Sequence, residues 1–272
     1  MSGEGAQGQP AAVVEEMETE AGVQAETGAG NRLKLSVCIP CYNEEAIIEA
    51  SYRRVRDTCE AQGVEYEIIF GNDGSGDRTL AMLEAIARAD PRVRVTSHFP
   101  NRGAGYTYRE MFEAARGEIV IQMDCDLAMP AEVVVPAFLE ELKRADVAVG
   151  SRYVGIKADY PLKRRVFSTG YRMLTKMLFH MDVVDTQTGF IGFYRKILPS
   201  LDLKSDGFEL LVEFIAQANA AGFRVSEVGL PWFHDTTSGE TDVWSESVKM
   251  LTGTLRVKRR FDKLKKEKSR AA

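Results

Sequence analysis

A short apolar run that ends in two aspartates places the strongest constraint on how this chain can fold. Residues Ile119 to Met123 are apolar except for one glutamine, and Asp124, Cys125 and Asp126 follow them. A run of this kind predicts a strand that is buried on both faces, as in a parallel sheet. The two carboxylates would then lie at the sheet edge where open α/β proteins bind ligands. They can hold a divalent cation on a diphosphate, although aspartates are also common in ordinary turns.

Strand-like and helix-like segments alternate along the chain from residue 33 onward. The predicted strands are Leu35 to Ile39, Glu67 to Phe70, Val93 to Thr96, Glu118 to Met123 and Val147 to Gly150. The predicted helices run from Glu44 to Ala61, Asp77 to Ala89, Ala104 to Ala115 and Ala131 to Arg144. This alternation predicts an α/β fold with a mainly parallel central sheet and helices on both faces. Right-handed crossovers bring the C-terminal ends of such strands to one edge.

The residues that follow the predicted strands are mostly polar and acidic. They are Pro40, Tyr42, Asn43 and Glu44 after the first strand, Asn72 and Asp73 after the second, and Arg152 after the fifth. Each acidic residue alone is explained by a place in a turn or at a helix start. Their convergence with Asp124 and Asp126 favours a cleft that handles a metal ion and a nucleotide.

Composition divides the chain into three parts. The first 30 residues contain six glutamates and no lysine, arginine or aromatic residue, which is typical of a disordered acidic leader. We expect a folded domain over 31–245 and a basic amphipathic segment over 246–272. A signal peptide is not predicted, because a basic start followed by an apolar core is missing. A membrane span is not predicted either, because no uninterrupted apolar stretch reaches about 18 residues.

The basic C-terminal segment has two interpretations. Residues 256–270 contain nine basic side chains, while Met250, Val257, Phe261 and Leu264 recur at helical spacing. This pattern predicts an amphipathic helix. Its apolar stripe can enter the headgroup layer of an anionic membrane, or it can pack on the folded domain and leave the lysines in water. We expect the membrane surface, and not nucleic acid, to be the anionic partner.

Thiol chemistry is a weaker alternative for this chain. Four cysteines are too few for a disulfide framework at this length. Cys38 and Cys41 form a Cys-x-x-Cys sequence, but Cys38 lies within a predicted buried strand. In redox proteins the reactive cysteine of this motif is found at a helix N-terminus, where its thiolate is stabilised.

Ordered motifs along the chain resemble those of the family 2 glycosyltransferases, which have the Rossmann-like GT-A fold. The motifs of the first half are residues 40–44, 72–75, 124–126 and 150–153. In the second half, residues 162–165, 185–190 and 207–209 resemble the dolichyl- or polyprenyl-phosphate mannosyltransferases and their glucosyltransferase relatives. The resemblance covers about residues 33–245.

This resemblance implies an inverting, metal-dependent transfer of a hexose from a nucleoside-diphosphate sugar to a polyprenyl or dolichyl phosphate. The residues implied in binding the nucleotide sugar are Pro40, Tyr42, Glu44, Asp73, Asp124, Cys125, Asp126 and Arg152. The cofactor would be Mg²⁺ or Mn²⁺, bound by Asp124 and Asp126. The residues implied in catalysis are Asp126, Arg152, Arg164 and Asp185.

The chain also departs from the family pattern. Ala128 stands where the family often has a polar residue that completes the metal coordination. Thr236 and Asp242 stand where mannosyltransferases usually have an arginine and a lysine. These departures leave open a nucleotide-sugar-binding protein with little turnover.

The motifs do not agree on the donor sugar. Residues 162–165 look closer to the mannosyl enzymes, whereas residues 185–190 look closer to the glucosyl relatives. We therefore expect GDP-mannose as the donor, with UDP-glucose as the alternative. A lipid acceptor implies a site of action at the cytoplasmic face of a membrane, with peripheral contact through the C-terminal segment.

Overall fold

A computed structural model describes residues 34–154, 162–186, 188–231 and 243–271. Its strands are β1 (Lys34–Cys41), β2 (Glu65–Asp73), β3 (Val93–His98), β4 (Ile119–Gln122), β5 (Val147–Ser151), β6 (Ile191–Tyr194) and β7 (Val225–Gly229). Its α-helices are α1 (Ile48–Ala61), α2 (Thr79–Ala89), α3 (Ala104–Ala114), α4 (Ala131–Glu141), α5 (Leu162–Phe179), α6 (Glu209–Ala220) and α7 (Val243–Ala271). A 3-10 helix spans Arg195–Ser200.

The strands form one sheet in the order β3-β2-β1-β4-β6-β5-β7. Strands β1 to β4 pair in parallel, and β5 pairs in parallel with β7. Strand β6 lies between β4 and β5 and is antiparallel to both. The prediction of a mainly parallel sheet is confirmed. The sequence did not predict β6 or β7.

Helices cover both faces of the sheet. Val37 and Ile39 on β1 pack in one cluster with buried residues of α1, α2 and α4. Cys38, which points to the other face, packs in a second cluster with residues of α3, α6 and α7. Because both faces are covered, the central strands have continuous apolar sequences and not an alternating pattern.

Helix α7 packs its apolar stripe on the domain. Val257 is 1% exposed and Phe261 is 6% exposed, and the Phe261 ring meets Phe179 of α5 edge-on at 5.6 Å between centroids. The hydroxyl groups of Tyr171 and Thr254 also join α5 to α7 at 2.6 Å. The packing interpretation is therefore right for these two stripe residues, and the membrane interpretation of the stripe is wrong for them.

The described residues bear on two further expectations, which concern membrane spans and thiol chemistry. No helix among them is both long enough and apolar enough to cross a bilayer. The cysteines at 38, 41, 59 and 125 are all buried free thiols. Burial raises the pKa of Cys38 and of Cys41, so the thiolate that redox chemistry needs is disfavoured.

Candidate active site

The loops after β1 and β2 are joined by hydrogen bonds at the C-terminal edge of the sheet. The Asn43 N–H donates to Ser75 Oγ at 3.0 Å, and the Gly76 N–H donates to Asn43 Oδ1 at 2.8 Å. The Glu44 N–H donates to the buried Thr79 Oγ1 at 2.8 Å. Since residues 42–47 make this turn, α1 begins at Ile48 and not at Glu44. The turn fixes Glu44 at the mouth of the cleft.

The turn after β4 presents Asp124 and Asp126. The Leu127 N–H donates to the Asp124 carbonyl oxygen at 3.2 Å, with Leu127 in the left-handed region at φ 50°. The Ala128 N–H donates to Asp126 Oδ1 at 3.0 Å. Ala128 has no side-chain oxygen to offer a metal, but its backbone orients the second aspartate.

The remaining nucleotide-binding candidates of this region differ in exposure. Tyr42 is 51% exposed, and Pro40 at the end of β1 is partly exposed. The Cys125 side chain is buried in the core beside the α1 face of the sheet, and Ser51 Oγ donates to its carbonyl oxygen. Cys125 could therefore meet a ligand only through its backbone.

Acidic side chains make the cleft strongly electronegative. Burial, followed by the charges of Asp126 and Glu44, raises the pKa of Asp124 to about 7, against an opposing effect of Arg152. Burial, then Asp126 and Asp77, raises the pKa of Glu44 to about 7. A cation bound at the aspartate pair would offset this repulsion.

The donor set suits a hard divalent cation whose other ligands come from outside the protein. Carboxylate oxygens of Asp124 and Asp126 are the ligand type that Mg²⁺ and Mn²⁺ prefer. Within the described ranges, no three His, Cys, Asp or Glu side chains group closely enough to enclose a metal on their own. Diphosphate and water oxygens would complete the coordination of an ion at this pair.

Strand β6 brings a glycine against the Asp124 carboxylate. Gln122 Nε2 donates to the Gly189 carbonyl oxygen at 2.6 Å, just before β6 begins. A Cβ atom at position 189 would overlap the Asp124 carboxylate. Because β6 runs opposite to its neighbours, its N-terminal end lies at the same edge as the C-terminal ends of β4 and β5.

A buried ion pair positions Arg152. Asp185 is 1% exposed and accepts hydrogen bonds at 2.8 Å from both Arg152 Nε and Nη2. The Arg152 N–H also donates to Asp185 at 3.1 Å. The backbone N–H groups of Val184 and Asp185 in turn donate to the Glu227 carboxylate of β7, each at 2.8 Å. Glu227 was not predicted, because nothing in its local sequence links it to position 185.

Asp73 is held by His98, a residue outside the motifs that the sequence indicated. His98 Nε2 lies 2.8 Å from Asp73 Oδ1, and His98 Nδ1 lies 2.7 Å from Glu110 Oε2 of α3. Asp73 and His98 are register partners at the ends of β2 and β3. Their shared position as the last residues of adjacent parallel strands is a signal that could have predicted the contact.

Three positions that the sequence singled out lie wholly or partly outside the described residues. Arg164 belongs to α5, but its side chain lies outside the described part of the chain. Thr236 and Asp242 lie in the segment outside the described residues. One edge of the sheet holds five of the others, on or just after the strand ends that the sequence indicated: Glu44, Asp73, Asp124, Asp126 and Arg152. Asp185 joins them through its ion pair with Arg152.

The sequence has recognisable relatives. Residues 36–201 match the family model of glycosyl transferase family 2. The chain is 33% identical to glycosyltransferase AglD of Haloferax volcanii, over 79% of this chain and 35% of that protein. It is 31% identical to the dolichol-phosphate mannosyltransferase of Pyrococcus furiosus, over 67% of this chain and 52% of that protein. It therefore spans about a third to a half of the length of these two proteins.

Two further similarities concern a eukaryotic relative and a solved structure. The chain is 31% identical to the dolichol-phosphate mannosyltransferase of Saccharomyces cerevisiae, over 68% of this chain and 71% of that protein. The structure matches glucosyl-3-phosphoglycerate synthase from Mycobacterium tuberculosis, solved with Mn²⁺, UDP and phosphoglyceric acid, with a TM-score of 0.64. That match covers 83% of this chain and 78% of the other at 22% identity, so it is evidence of the shared fold alone.

Proposed function

This chain belongs to glycosyl transferase family 2, and we propose that it transfers a hexose from a nucleoside-diphosphate sugar to a polyprenyl phosphate at the cytoplasmic face of a membrane. The acidic cleft at the strand ends, with Asp124 and Asp126 at its centre, is the observation that carries the proposal. The relatives named as dolichol-phosphate mannosyltransferases support mannose as the sugar.

The proposed reaction is a displacement at the anomeric carbon. An oxygen of the lipid phosphate attacks that carbon and forms the new bond, while the bond to the nucleoside diphosphate breaks and the diphosphate leaves with the electron pair. A phosphate monoester is largely ionised at neutral pH, so the attack needs no strong general base. Mg²⁺ or Mn²⁺, when bound, would neutralise charge on the leaving diphosphate.

The protein's own residues would prepare this displacement. Asp124 and Asp126 are suited to hold the cation, and Arg152, fixed by its ion pair with Asp185, adds positive charge beside Asp124. The Oδ2 atom of Asp73 has no hydrogen-bond partner among the described residues and is available to an N–H of the nucleobase. These roles account for five of the ten site residues that the family resemblance implies.

An acceptor with a polyprenyl chain also requires contact with a membrane. Helices α5 and α7 carry exposed apolar side chains on their outer surfaces: Met173 and Met177 are each 69% exposed, and Leu251 and Leu255 are 40% and 42% exposed. Exposed Arg256 and other basic side chains lie on the same helix as the leucines. Apolar residues with basic neighbours suit an anionic lipid surface, so we assign the membrane contact to these residues and not to the buried stripe.

A substrate panel tests the proposed activity. The protein is incubated with GDP-mannose or UDP-glucose, a polyprenyl phosphate and Mn²⁺, and lipid-linked products are measured by mass spectrometry. We expect a polyprenyl-phosphate hexose from GDP-mannose, and at least about a hundredfold less from Asp124→Asn, since removing the ligand charge raises the barrier. If only UDP-glucose gives a product, the donor is UDP-glucose and not GDP-mannose. Nucleotide-sugar binding without any product would favour a binding protein.

A further inference from the structure

The contacts of Asp73 divide its carboxylate into a held oxygen and an available one. Oδ1 lies near three donors: His98 Nε2 at 2.8 Å, the Arg102 N–H at 2.8 Å and the Gly103 N–H at 3.2 Å. Oδ2 has no donor among the described residues. It is also not one of the fully buried polar atoms there that lack a partner, so it retains some exposure. Gly103 reaches its place with φ 98°, a conformation that favours glycine. The carboxylate is thus oriented by one oxygen and offers the other.

Of the three donors near Asp73 Oδ1, only His98 Nε2 belongs to a side chain. The His98 ring lies between two acidic side chains. Its side chain is 11% exposed and also contacts Glu110 Oε2 through Nδ1 at 2.7 Å. A neutral imidazole has one N–H, so it can donate to only one of the two carboxylates, whereas an imidazolium can donate to both. The protonated ring would therefore hold Asp73 and Glu110 at the same time.

The other groups around the His98 ring are on α3 and the loop before it. The Tyr106 ring meets the His98 ring edge-on at 4.9 Å between centroids. The Arg102 guanidinium lies 3.5 Å from the Tyr106 ring centroid, and that of Arg109 lies 5.3 Å from it. Arg109 also pairs with Asp206 at 2.6 Å. The acids that contact His98 directly are Asp73 and Glu110.

We infer that His98, held by Glu110, is a positioning residue that orients Asp73 for the nucleobase of the sugar nucleotide. The inference rests on the proposed function, because it takes Asp73 as a nucleotide-binding residue. His98 itself does not touch the reacting atoms. Its effect is on nucleotide affinity, through its hydrogen bond with Asp73.

Nucleotide affinity tests the inference. Binding of GDP and of UDP is measured by calorimetry with Mn²⁺, in the full chain and in His98→Asn. We expect His98→Asn to weaken binding of the cognate nucleotide about tenfold, roughly the loss of one charge-assisted contact to Asp73.

Two further variants separate positioning from a general structural effect. Glu110→Gln can still form a hydrogen bond with the His98 ring through its amide group, so we expect it to weaken nucleotide binding less than His98→Asn does. His180→Asn is the matched control, because His180 is exposed and its φ of 55° suits asparagine. This control variant should leave nucleotide binding unchanged. Thermal unfolding of each variant shows whether it is folded.

The possible results are distinguishable. Equal nucleotide affinity in His98→Asn and in the wild type would overturn the inference while leaving the proposed function intact. So would a lower kcat with an unchanged KM for the sugar nucleotide, because a positioning role in binding predicts a raised KM. If the wild-type protein binds neither GDP nor UDP, the proposed function itself is wrong, and the inference is wrong with it.

Discussion

The Asp124 side chain lies where its own negative charge is disfavoured. Its pKa rises from 3.8 to about 7 because of burial and of the neighbouring acids. In chelator, the folded protein should therefore lose stability as the pH rises from about 4 to 7, because ionisation costs more in the folded state than in the unfolded state. Asp124→Asn should unfold at a higher temperature than the wild type at pH 8, with no difference near pH 4.

Adding metal should reverse the order of the two unfolding temperatures at pH 8. Mn²⁺ should raise the unfolding temperature of the wild type and have little effect on Asp124→Asn, because a ligand that binds only the folded state stabilises it. Asp182→Asn is the control, since Asp182 is fully exposed and lies 3.5 Å from Lys176. A wild type that is more stable than Asp124→Asn at pH 8 without metal would contradict this account of the cleft.

Glu227 should affect catalysis through Arg152, although it lies on β7. Its carboxylate accepts two backbone N–H groups that shape the turn around Asp185. Glu227→Gln has one amide oxygen left to accept them, so the turn and the Arg152 ion pair should loosen. We expect kcat/KM to fall about tenfold, which corresponds to roughly one charge-assisted hydrogen bond. Glu84→Gln, an exposed residue that pairs with Arg88, should leave the rate unchanged.

The residues that the sequence predicted differ in kind from those it missed. Asp73, Asp124 and Asp126 could be predicted because each lies at or just beyond the end of an apolar run, and parallel strands end at one edge. His98 and Glu227 act through strand register and through contacts between segments distant in sequence. Neither relation is contained in the local pattern of one segment.

At the scale of elements, β6 explains why position 189 must be glycine. The strand enters the sheet antiparallel to β4, and Gly189, just before the strand begins, lies against the Asp124 carboxylate. We expect Gly189→Ala to move that carboxylate, and so to weaken Mn²⁺-dependent nucleotide binding by about tenfold or more, as a disturbed metal ligand does. Calorimetry with and without Mn²⁺ measures the effect.

A second glycine provides the matched substitution. A Cβ atom at Gly170 of α5 would meet nothing within 4 Å. Gly170→Ala should therefore leave nucleotide binding unchanged and stabilise the protein by up to about 1 kcal/mol, since alanine is the better helix former. Unchanged binding in Gly189→Ala would mean that the site tolerates the added methyl group and that our account of β6 is wrong.

The hydrophobic pattern predicts the strands and helices in the first half of the chain. It does not predict two strands of the second half. Strands β1 to β5 and helices α1 to α4 each had an apolar run or helical spacing long enough to identify. Strand β6 is only four residues long, and β7 at the sheet edge is only partly buried. The reversed direction of β6 depends on how the chain returns to the sheet, which the period of its residues does not specify.

At the scale of the whole described domain, the sheet separates two helical layers. Helices α1, α2 and α4 lie on one face, and α3, α6 and α7 lie on the other. Val257 and Phe261 are needed to cover the second face, so α7 cannot present them to a lipid bilayer while it remains packed. What it presents outward is basic residues together with Leu251 and Leu255.

This arrangement predicts that the protein binds a membrane through the helical layer that contains α7. The double variant Arg256→Gln and Arg259→Gln on α7 should weaken binding to anionic vesicles about tenfold or more at low salt, because each basic residue near such a surface contributes about 1 kcal/mol. Arg53→Gln with Arg88→Gln removes the same charge from exposed positions on α1 and α2, in the opposite layer, and should bind like the wild type. Co-sedimentation with vesicles measures both.

A separate variant tests the apolar part of the membrane contact. If charge alone held the protein on the membrane, binding would disappear at high salt. Met173→Gln with Met177→Gln removes two exposed side chains from α5 without changing charge. We expect this variant to lose the binding that remains as the ionic strength rises, because burial of apolar area is not screened by salt. If both arginine pairs weaken binding equally, the membrane contact is not specific to the α7 layer. If the methionine variant binds like the wild type at every salt concentration, the outer surface of α5 does not enter the lipid.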